Sequence, residues 1–303
     1  MTKNWTVSLT ITGMLLLMLT CAMPAWAGHY TPGTEGAMGA SVPPPGFHYK
    51  QYNIYVDSDT LKDDDGDDIN IGFDLNVFAQ AHRLIYITKH KFLGADYGMS
   101  TIVPIVGTDF NLNVPGVHDS EVGLGDIFIE PLILAWHTDR WDAVLGLGVN
   151  LPTGEYDWTE PASAGQGYTS GMMTLGATYY IDQAKSWAVS ALSRTLVYGE
   201  QDDTDITPGW EFIVDWGISK QFPISEGLLI RPALVGYTYW QMDEDSGTGS
   251  SDEKGTNYAI GAEVNLFWLP PHLFQINLRV LQDFGTENEA ETTKVVFSVV
   301  KSF

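Results

Sequence analysis

Two short stretches of the chain carry residue types that could do chemistry. The first is a run of carboxylates from Asp63 to Asp68 that only Gly66 interrupts. Clustered carboxylate oxygens suit calcium, but the run lacks EF-hand spacing, because Asp68 occupies the sixth position, where that loop needs glycine. We therefore expect a solvated acidic loop, with weak and nonspecific binding of divalent cations as the alternative.

The second stretch is His118, Asp119 and Ser120, which contains the residue types of a hydrolase triad. Adjacent residues cannot converge on one substrate carbonyl, so this order argues against that chemistry. The sequence also has no Gly-x-Ser-x-Gly and no His-Glu-x-x-His motif. We predict no catalytic residue, no metal site and no cofactor, and the protein is not expected to be an enzyme.

The elements that must position any functional side chain are predicted to be strands. In residues 210–222, Phe212 and Trp216 alternate with Glu211 and Asp215, so one face is apolar and the other is charged. Residues 69–80 and 273–284 show the same period of two. Both a soluble sandwich and a membrane barrel have one apolar and one polar face, so the period alone does not separate them.

The lengths of the connections separate the two folds. Short turns alternate with longer connections, several of them acidic, such as residues 58–68, 200–207 and 243–254, and this alternation is typical of outer-membrane barrels. The sequence therefore predicts an all-β fold, a transmembrane antiparallel β-barrel of about 12 strands with long acidic extracellular loops and short periplasmic turns. The predicted strands cover residues 48–57, 69–89, 95–106, 123–137, 141–152, 168–182, 186–199, 208–222, 228–242, 255–267, 272–284 and 293–303.

The chain is predicted to be exported. Lys3, an apolar run at residues 11–19 and the small residues Ala25 and Ala27 form a secretory signal peptide over residues 1–27, so the mature protein begins near Gly28. The only cysteine, Cys21, lies in that segment. The net charge of −23 argues against nucleic acid as a partner, because nucleic acids need a basic surface.

Residues 28–47 are rich in glycine and proline and show no strand alternation. This amino-terminal segment is predicted either to plug the lumen of the barrel or to form a free linker to the first strand. Residues 48–303 form the predicted barrel.

Polar side chains on barrel strands are expected to face the aqueous lumen. They can form a satisfied network that maintains the shape of the barrel, or a row of contacts along a permeation path. The residues predicted to line the lumen are Asp74, Asn76, Gln80, His82, Asp126, Glu130, Arg194, Glu211, Asp215, Arg231, Glu263, Asn277 and Arg279.

The chain ends within an alternating apolar run, in which Val295, Phe297, Val299 and Phe303 share one face. A terminal strand of this kind needs a partner strand, so we expect it to close the barrel. Its final phenylalanine resembles the terminal signal by which the barrel assembly machinery recognises outer-membrane proteins. Lys301 departs from that pattern, and we expect its amine to reach water at the rim.

Four segments carry a resemblance to a known family: HYTPG at residues 29–33, GLGDIFIEPLILAWH at 123–137, GLGVNLPTGEYD at 146–157 and LQDFGTEN at 281–288. Together they resemble the outer-membrane proteins associated with the meta-pathway of phenol degradation. The resemblance covers nearly the whole mature chain and carries no catalytic motif. It implies a barrel in the bacterial outer membrane that acts as a channel for aromatic or other hydrophobic compounds.

The sequence thus predicts an outer-membrane channel for passive uptake of small hydrophobic or aromatic compounds. Its expected partners are outer-membrane lipid, the assembly machinery and a small hydrophobic solute. The alternative is a non-transporting surface protein whose acidic loops bind cations or a partner.

Overall fold

The computed structural model describes residues 28–114 and 116–303. The predicted signal peptide, residues 1–27, lies outside these residues. The strand segments of the described chain are, in order, β1 Gly46–Leu61, β2 Phe73–Phe92, β3 Ala95–Leu112, β4 Val117–Leu124, β5 Ile127–His137, β6 Trp141–Leu151, β7 Ser170–Tyr180, β8 Trp187–Tyr198, β9 Glu211–Lys220, β10 Phe222–Ser225, β11 Leu228–Gln241, β12 Thr256–Trp268, β13 Phe274–Glu287 and β14 Ala290–Ser302.

The strands form one closed antiparallel barrel. Each barrel strand pairs with its neighbour along the chain, and β14 pairs with β1, with Lys50 opposite Val300. The closed circuit contains every segment except β4, which extends a hairpin with β3, and the short β10, which pairs with β11 next to β9. Twelve strands therefore close the barrel, and the predicted fold class is confirmed. The closing role of the last strand follows from the same pairing.

The connections divide the barrel into a short-turn rim and a long-loop rim. Two differences from the predicted boundaries occur at the long-loop rim. Residues 107–122, predicted as a loop, belong largely to the β3–β4 hairpin, and residues 288–289 form a tight turn where a longer connection was predicted. The long loops cover residues 62–72, 152–169, 199–210 and 242–255.

Aromatic side chains form a ladder on the outward face near the long-loop rim. The rings of Phe212, Trp240, Tyr258 and Phe284 follow one another across β9, β11, β12 and β13, with centroid separations of 6.0 to 6.1 Å. Amphipathic rings of this kind collect at the interfaces of a membrane. No helix in the described part of the chain is long and apolar enough to cross a bilayer.

An apolar cluster lies inside the barrel next to the long-loop rim. Phe73, Leu75 and Val77 on β2 pack against Phe110 and Leu112 on β3. The rings of Phe73 and Phe110 meet edge to face at 5.9 Å. Inward side chains of β2 are therefore apolar at this height.

We expect Phe110→Ala to destabilise the barrel by about 3–5 kcal/mol, because the 2% exposed ring leaves a cavity that its neighbours cannot fill. Phe78→Ala is the matched control, because Phe78 lies on the outward face and is 49% exposed, so lipid or water refills the space. Denaturant unfolding of both variants in lipid vesicles measures the difference. Equal losses would contradict the assignment of the two faces.

Candidate functional site

Residues 28–45, here called the luminal segment, lie inside the barrel rather than outside it. Glu35 is 8% exposed, and Ala37 and Ala40 are fully buried. The segment folds on itself through tight turns, in which the amide of Gly39 donates to the carbonyl of Gly36 at 2.9 Å. Its glycines and prolines favour such turns over a continuous strand.

Two glycines allow the luminal segment to approach the barrel wall closely. Gly33 has φ +84°, and a Cβ there would lie 2.4 Å from Leu281. At Gly36 a Cβ would lie 1.7 Å from a carboxylate oxygen of Glu263. Only glycine fits at these positions without displacing the segment.

The luminal segment also packs against the apolar parts of the wall. Ala37 belongs to a buried cluster with Ile213, Val235 and Tyr237. Ala40 belongs to another that includes Ile87 on β2 and Leu192 on β8, among others. Contacts therefore reach the segment from several sides of the barrel.

Glu35 is the electrostatic centre of the contact between the segment and the wall. Lys50 Nζ on β1 donates to its Oε2 at 2.8 Å, and the hydroxyl of Tyr52 donates to Oε1 at 2.6 Å. Arg83 on β2 donates to Oε1 at 3.2 Å, and an Arg194 nitrogen on β8 lies 3.8 Å from the same oxygen. One carboxylate thus joins three strands.

Asp215 on β9 holds the preceding turn of the segment. Its carboxylate accepts the hydroxyl of Tyr30 and the amides of Gly33, at 2.9 Å, and Glu35, at 3.2 Å. The guanidinium of Arg194 lies 3.9 Å from the centre of the Tyr30 ring, where a cation–π contact is favourable. The wall therefore satisfies backbone donors of the segment that no strand neighbour could satisfy.

On the part of the wall between β9 and β1, Arg279 on β13 and Glu263 on β12 form a second clamp. Arg279 Nη1 donates to the carbonyls of Gly33, at 2.6 Å, and Thr34, at 2.7 Å. Its Nε donates to Glu263 Oε2 at 2.7 Å, and the same oxygen accepts the amide of Ala37 at 3.3 Å. Each member of this ion pair thus also bonds to the backbone of the segment.

His29 anchors the start of the segment below the long-loop rim. Its Nε2 lies 2.9 Å from Asp126 Oδ2, and its Nδ1 lies 2.7 Å from Ser170 Oγ. Asp126 also accepts the amides of Gly154 and Gln166, both at 2.9 Å. One carboxylate therefore connects the segment to both ends of the loop at residues 152–169.

Charges in this region compensate one another. We call the set the lumen charge network: it contains Glu35, Glu130, Asp215 and Glu263 with Lys50, Arg83, Arg194 and Arg279. Because buried charges are tolerated only when they are paired, the neutral balance allows these groups to leave water. The chain as a whole is strongly acidic, so the excess acid lies outside this network.

The pKa values of the groups on the segment and in the loops follow from these contacts. Burial raises the pKa of Glu35, but Lys50, Arg83 and Arg194 outweigh burial and hold that pKa well below its usual range. Burial also opposes ionisation of Asp126, and the contact with His29 and the two loop amides lower its pKa overall. Both carboxyl groups are therefore ionised near neutral pH while the segment is docked.

Nine of the thirteen residues predicted to line the lumen lie on the inner side of the barrel and are buried. Most of them contact the luminal segment or pair with residues that do. Arg231 instead donates to Gln221 on the short-turn side, with its guanidinium 4.9 Å from the centre of the Phe267 ring. The nine are Asp126, Glu130, Arg194, Glu211, Asp215, Arg231, Glu263, Asn277 and Arg279.

The prediction is wrong for the four residues on β2, which lie on the outward face: Asp74, Asn76, Gln80 and His82. His82 bonds to the Tyr49 hydroxyl at 2.6 Å, and Gln80 donates to Asn53 at 3.1 Å, so these polar groups satisfy one another across strands. The physical reason is the apolar cluster inside the long-loop rim. It turns Phe73 and Leu75 inward and reverses the faces expected for a strand in lipid.

Sequence reasoning missed the partners of Glu35, namely Lys50 and Arg83, as well as Glu35 itself. One signal could have found the two cations, because Lys and Arg side chains at mid-height of a membrane strand must face the lumen. Placing Arg83 inward also puts Gln80 and His82 outward, which would have corrected the register of β2. Nothing in the local sequence marks Glu35.

The two motifs that could do chemistry have structural roles. Asp63 accepts the amides of Asp65 and Asp67, at 3.1 and 2.8 Å, and so stabilises its own loop. In β4, His118 is exposed and Asp119 accepts the amide of Ala162 at 2.9 Å. Within the described ranges, no group of three or more His, Cys, Asp or Glu side chains is arranged to hold a metal ion.

A closed antiparallel barrel with outward aromatic rings and an interior of paired charges is an outer-membrane β-barrel. Solved structures share the fold. An outer membrane channel from Pseudomonas putida F1 is similar with a TM-score of 0.74 at 14% identity, over 87% of this chain and 97% of that chain. The transport unit of the autotransporter AIDA-I from Escherichia coli is similar with a TM-score of 0.57 at 9% identity, over 93% and 99%. The comparison with curated proteins finds no match.

Residues 58–299 match the family described as "Putative MetA-pathway of phenol degradation", and the chain belongs to this family. The family predicted from the sequence segments is therefore confirmed. Together with the barrel fold, this places the protein in the bacterial outer membrane, with its outward face in lipid.

We expect acid to release the luminal segment. The pKa of Glu35 is lower when the segment is docked than its ordinary value of 4.5, so the ion pairs stabilise docking above about pH 4.5 and are lost as the pH falls below it. Glu35→Gln should weaken docking by about 3–5 kcal/mol at neutral pH, because it leaves buried cations unpaired. It should also remove most of the acid dependence.

Hydrogen exchange of the peptide covering residues 28–45, corrected for the intrinsic effect of pH, measures docking. Glu226→Gln is the control, because Glu226 is exposed in a turn at the short-turn rim. Equal exchange in wild type and Glu35→Gln across the pH range would contradict the central role of Glu35.

Proposed function

We propose that the protein is an outer-membrane channel for passive uptake of small hydrophobic or aromatic compounds, with the luminal segment as its plug. The observation that carries the proposal is a cavity of about 160 Å³ between the segment and the barrel wall. A cavity of roughly 150 Å³ lined by apolar side chains holds benzene in another protein, so this one can hold a single aromatic ring.

The wall of the cavity has two chemical sides. β1 to β3 contribute apolar groups that include Ile54, Ala79, Ala81 and Ile102. The segment and β8 contribute polar groups that include Glu35 and Arg194. Pockets with mostly apolar walls and a few placed polar groups select small organic molecules and orient them.

Arg194 provides hydrogen-bond donors on the polar side of the cavity. Its Nε and Nη1 are buried and have no hydrogen-bond partner among the described residues, although its charge is balanced within the lumen charge network. Buried donors without a partner are costly, so an acceptor oxygen that reaches them is favoured. This supports an uncharged solute that combines an apolar body with one oxygen atom.

The luminal segment supports a gated path rather than an open pore. It fills the interior through ion pairs with opposite walls, and passage of a solute along the lumen requires the segment to shift. Its glycines and tight turns make it the part of the interior that can move without breaking the strand pairing of the barrel.

A disulfide between the segment and the wall tests this mechanism. A Cβ built at Gly176 lies 2.9 Å from the Cβ of Ala40, less than 1 Å from the spacing of about 3.5–4.5 Å that a disulfide needs. The only native cysteine lies in the predicted signal peptide, so Ala40→Cys with Gly176→Cys forms a unique pair. We expect oxidation to lower uptake of benzyl alcohol at least tenfold, and reduction to restore it.

The two single-cysteine variants control for the substitutions themselves, and a chain lacking residues 28–46 should take up the solute faster than wild type. Uptake is measured with cells or vesicles that carry the folded barrel. No uptake above protein-free membranes, with or without the segment, would overturn the channel for this solute. Uptake that the disulfide leaves unchanged would overturn the role of the segment as a plug.

We further infer that the terminal strand is the recognition signal for the barrel assembly machinery. Phe303 is 72% exposed at the short-turn rim, and its ring lies 5.9 Å from that of Phe47. The amine of Lys301 bonds to the carbonyl of His272 at the same rim, which leaves the aromatic end accessible.

Phe303→Ala should reduce the amount of folded barrel in outer membranes severalfold. Phe297→Ala is the control, because Phe297 is outward on the same strand but not terminal. Heat-modifiable mobility in gels separates folded from unfolded barrel. Equal assembly of the two variants would contradict this inference.

A further inference from the structure

Glu211, at the start of β9, is a buried carboxylate without a positive partner in the described structure. It is 6% exposed and accepts the hydroxyls of Tyr198 at 2.5 Å and Tyr239 at 3.2 Å. Its electrostatic neighbours include no Lys, Arg or His side chain of the described residues. In the lumen charge network, by contrast, every carboxylate has at least one such neighbour.

The groups that face Glu211 from neighbouring elements are acids and phenols. They are Tyr198, Tyr239, Tyr168, Asp245 and Glu289. Glu289 is fully buried, and neither of its carboxyl oxygens has a hydrogen-bond partner among the described residues. Lys294 is an electrostatic neighbour of Glu289 and lies 3.7 Å from Asp283, but no described cation is a neighbour of Glu211. Glu211 therefore lacks a positive partner, and an unpaired buried carboxylate is costly.

Gly28 lies directly beside Glu211. A Cβ built on Gly28 would lie 3.0 Å from Glu211 Oε2 and 3.4 Å from the Tyr198 hydroxyl. The nitrogen of Gly28 is two covalent bonds from that position, so it lies within about 6 Å of the carboxylate. His29 and Asp126, which anchor the next residue, keep Gly28 in place.

Gly28 is also the residue that follows the predicted cleavage signature Ala25-Trp26-Ala27. Cleavage after Ala27 converts the amide nitrogen of Gly28 into an α-ammonium group. We propose that Glu211 and Tyr198 form a binding site for an ammonium group, and that the protein's own amino terminus occupies it once the signal peptide has been removed.

Three observations support this site: a buried carboxylate without a cation, the position of Gly28 next to it, and the cleavage signature. Removal of the signal peptide then creates a positive charge on the nitrogen of Gly28, beside the carboxylate of Glu211. The uncleaved chain has a neutral amide at residue 28, so full docking of the luminal segment follows processing. The inference requires the position of the segment but not solute transport, and a negative uptake experiment leaves it intact.

The experiment uses mature protein purified from outer membranes. Mass spectrometry of the amino-terminal peptide identifies the first residue, and trace labelling with acetic anhydride over a range of pH gives the pKa of the α-amine. In the folded protein we expect the chain to begin at Gly28, with an α-amine pKa raised above the ordinary value of about 8 by about 1 to 3 through the carboxylate. At pH 8 this corresponds to labelling about fivefold to several hundredfold slower than in the urea-unfolded chain.

Glu211→Gln should abolish the rise in the α-amine pKa, whereas Glu200→Gln, at an exposed loop position, should retain it. Burial alone slows labelling but lowers an amine pKa, so the direction of the shift separates the ion pair from simple shielding. If Glu211→Gln does not fold, the α-amine pKa values of folded and urea-unfolded wild type are compared instead, and a higher value in the folded protein supports the ion pair. A mature chain that begins elsewhere, or an α-amine pKa that is not raised, would overturn the proposal.

Discussion

The compensation of buried charge between the luminal segment and the barrel wall is the interaction on which the interior depends. Lys50, Arg83 and Arg194 project into a space that the carboxylates of the strands neutralise only in part, and Glu35 supplies the carboxylate that all three share. An unpaired charge in such a place costs several kcal/mol, so the segment and the wall stabilise one another. Without the segment, the buried cations of the barrel wall would therefore outnumber their carboxylate partners.

This dependence explains why the segment is built from small residues. Gly33 and Gly36 bring the backbone close enough for Arg279 and Glu263 to bond to its carbonyls and amides. Ala37 and Ala40 complete apolar clusters whose other members lie on the wall. A segment with larger side chains could keep the charges but would lose these contacts, because the available space is already filled.

The acidity of the chain and the neutrality of the lumen charge network have separate physical origins. Loop carboxylates such as those of residues 63–68 remain hydrated, and hydration tolerates an excess of one sign. The lumen charge network is dehydrated and must balance. The net charge of the chain therefore does not predict the charge balance of the lumen charge network.

The sequence by itself determined the barrel and its twelve strands. Three patterns indicated them: the apolar and polar alternation along the strands, the alternation of short turns with long loops, and the apolar terminal strand. Strand period and connection length are local properties, so they can be recognised in the sequence. The inward positions of Glu211, Asp215, Asn277 and Arg279 followed from the same period. The faces of β2 were decided by tertiary structure, since an apolar cluster from β3 and the long-loop rim turns Phe73 inward and Gln80 outward. The docking of Glu35 was also decided there, because its partners lie on three separate strands and only closure of the barrel brings them to one carboxylate.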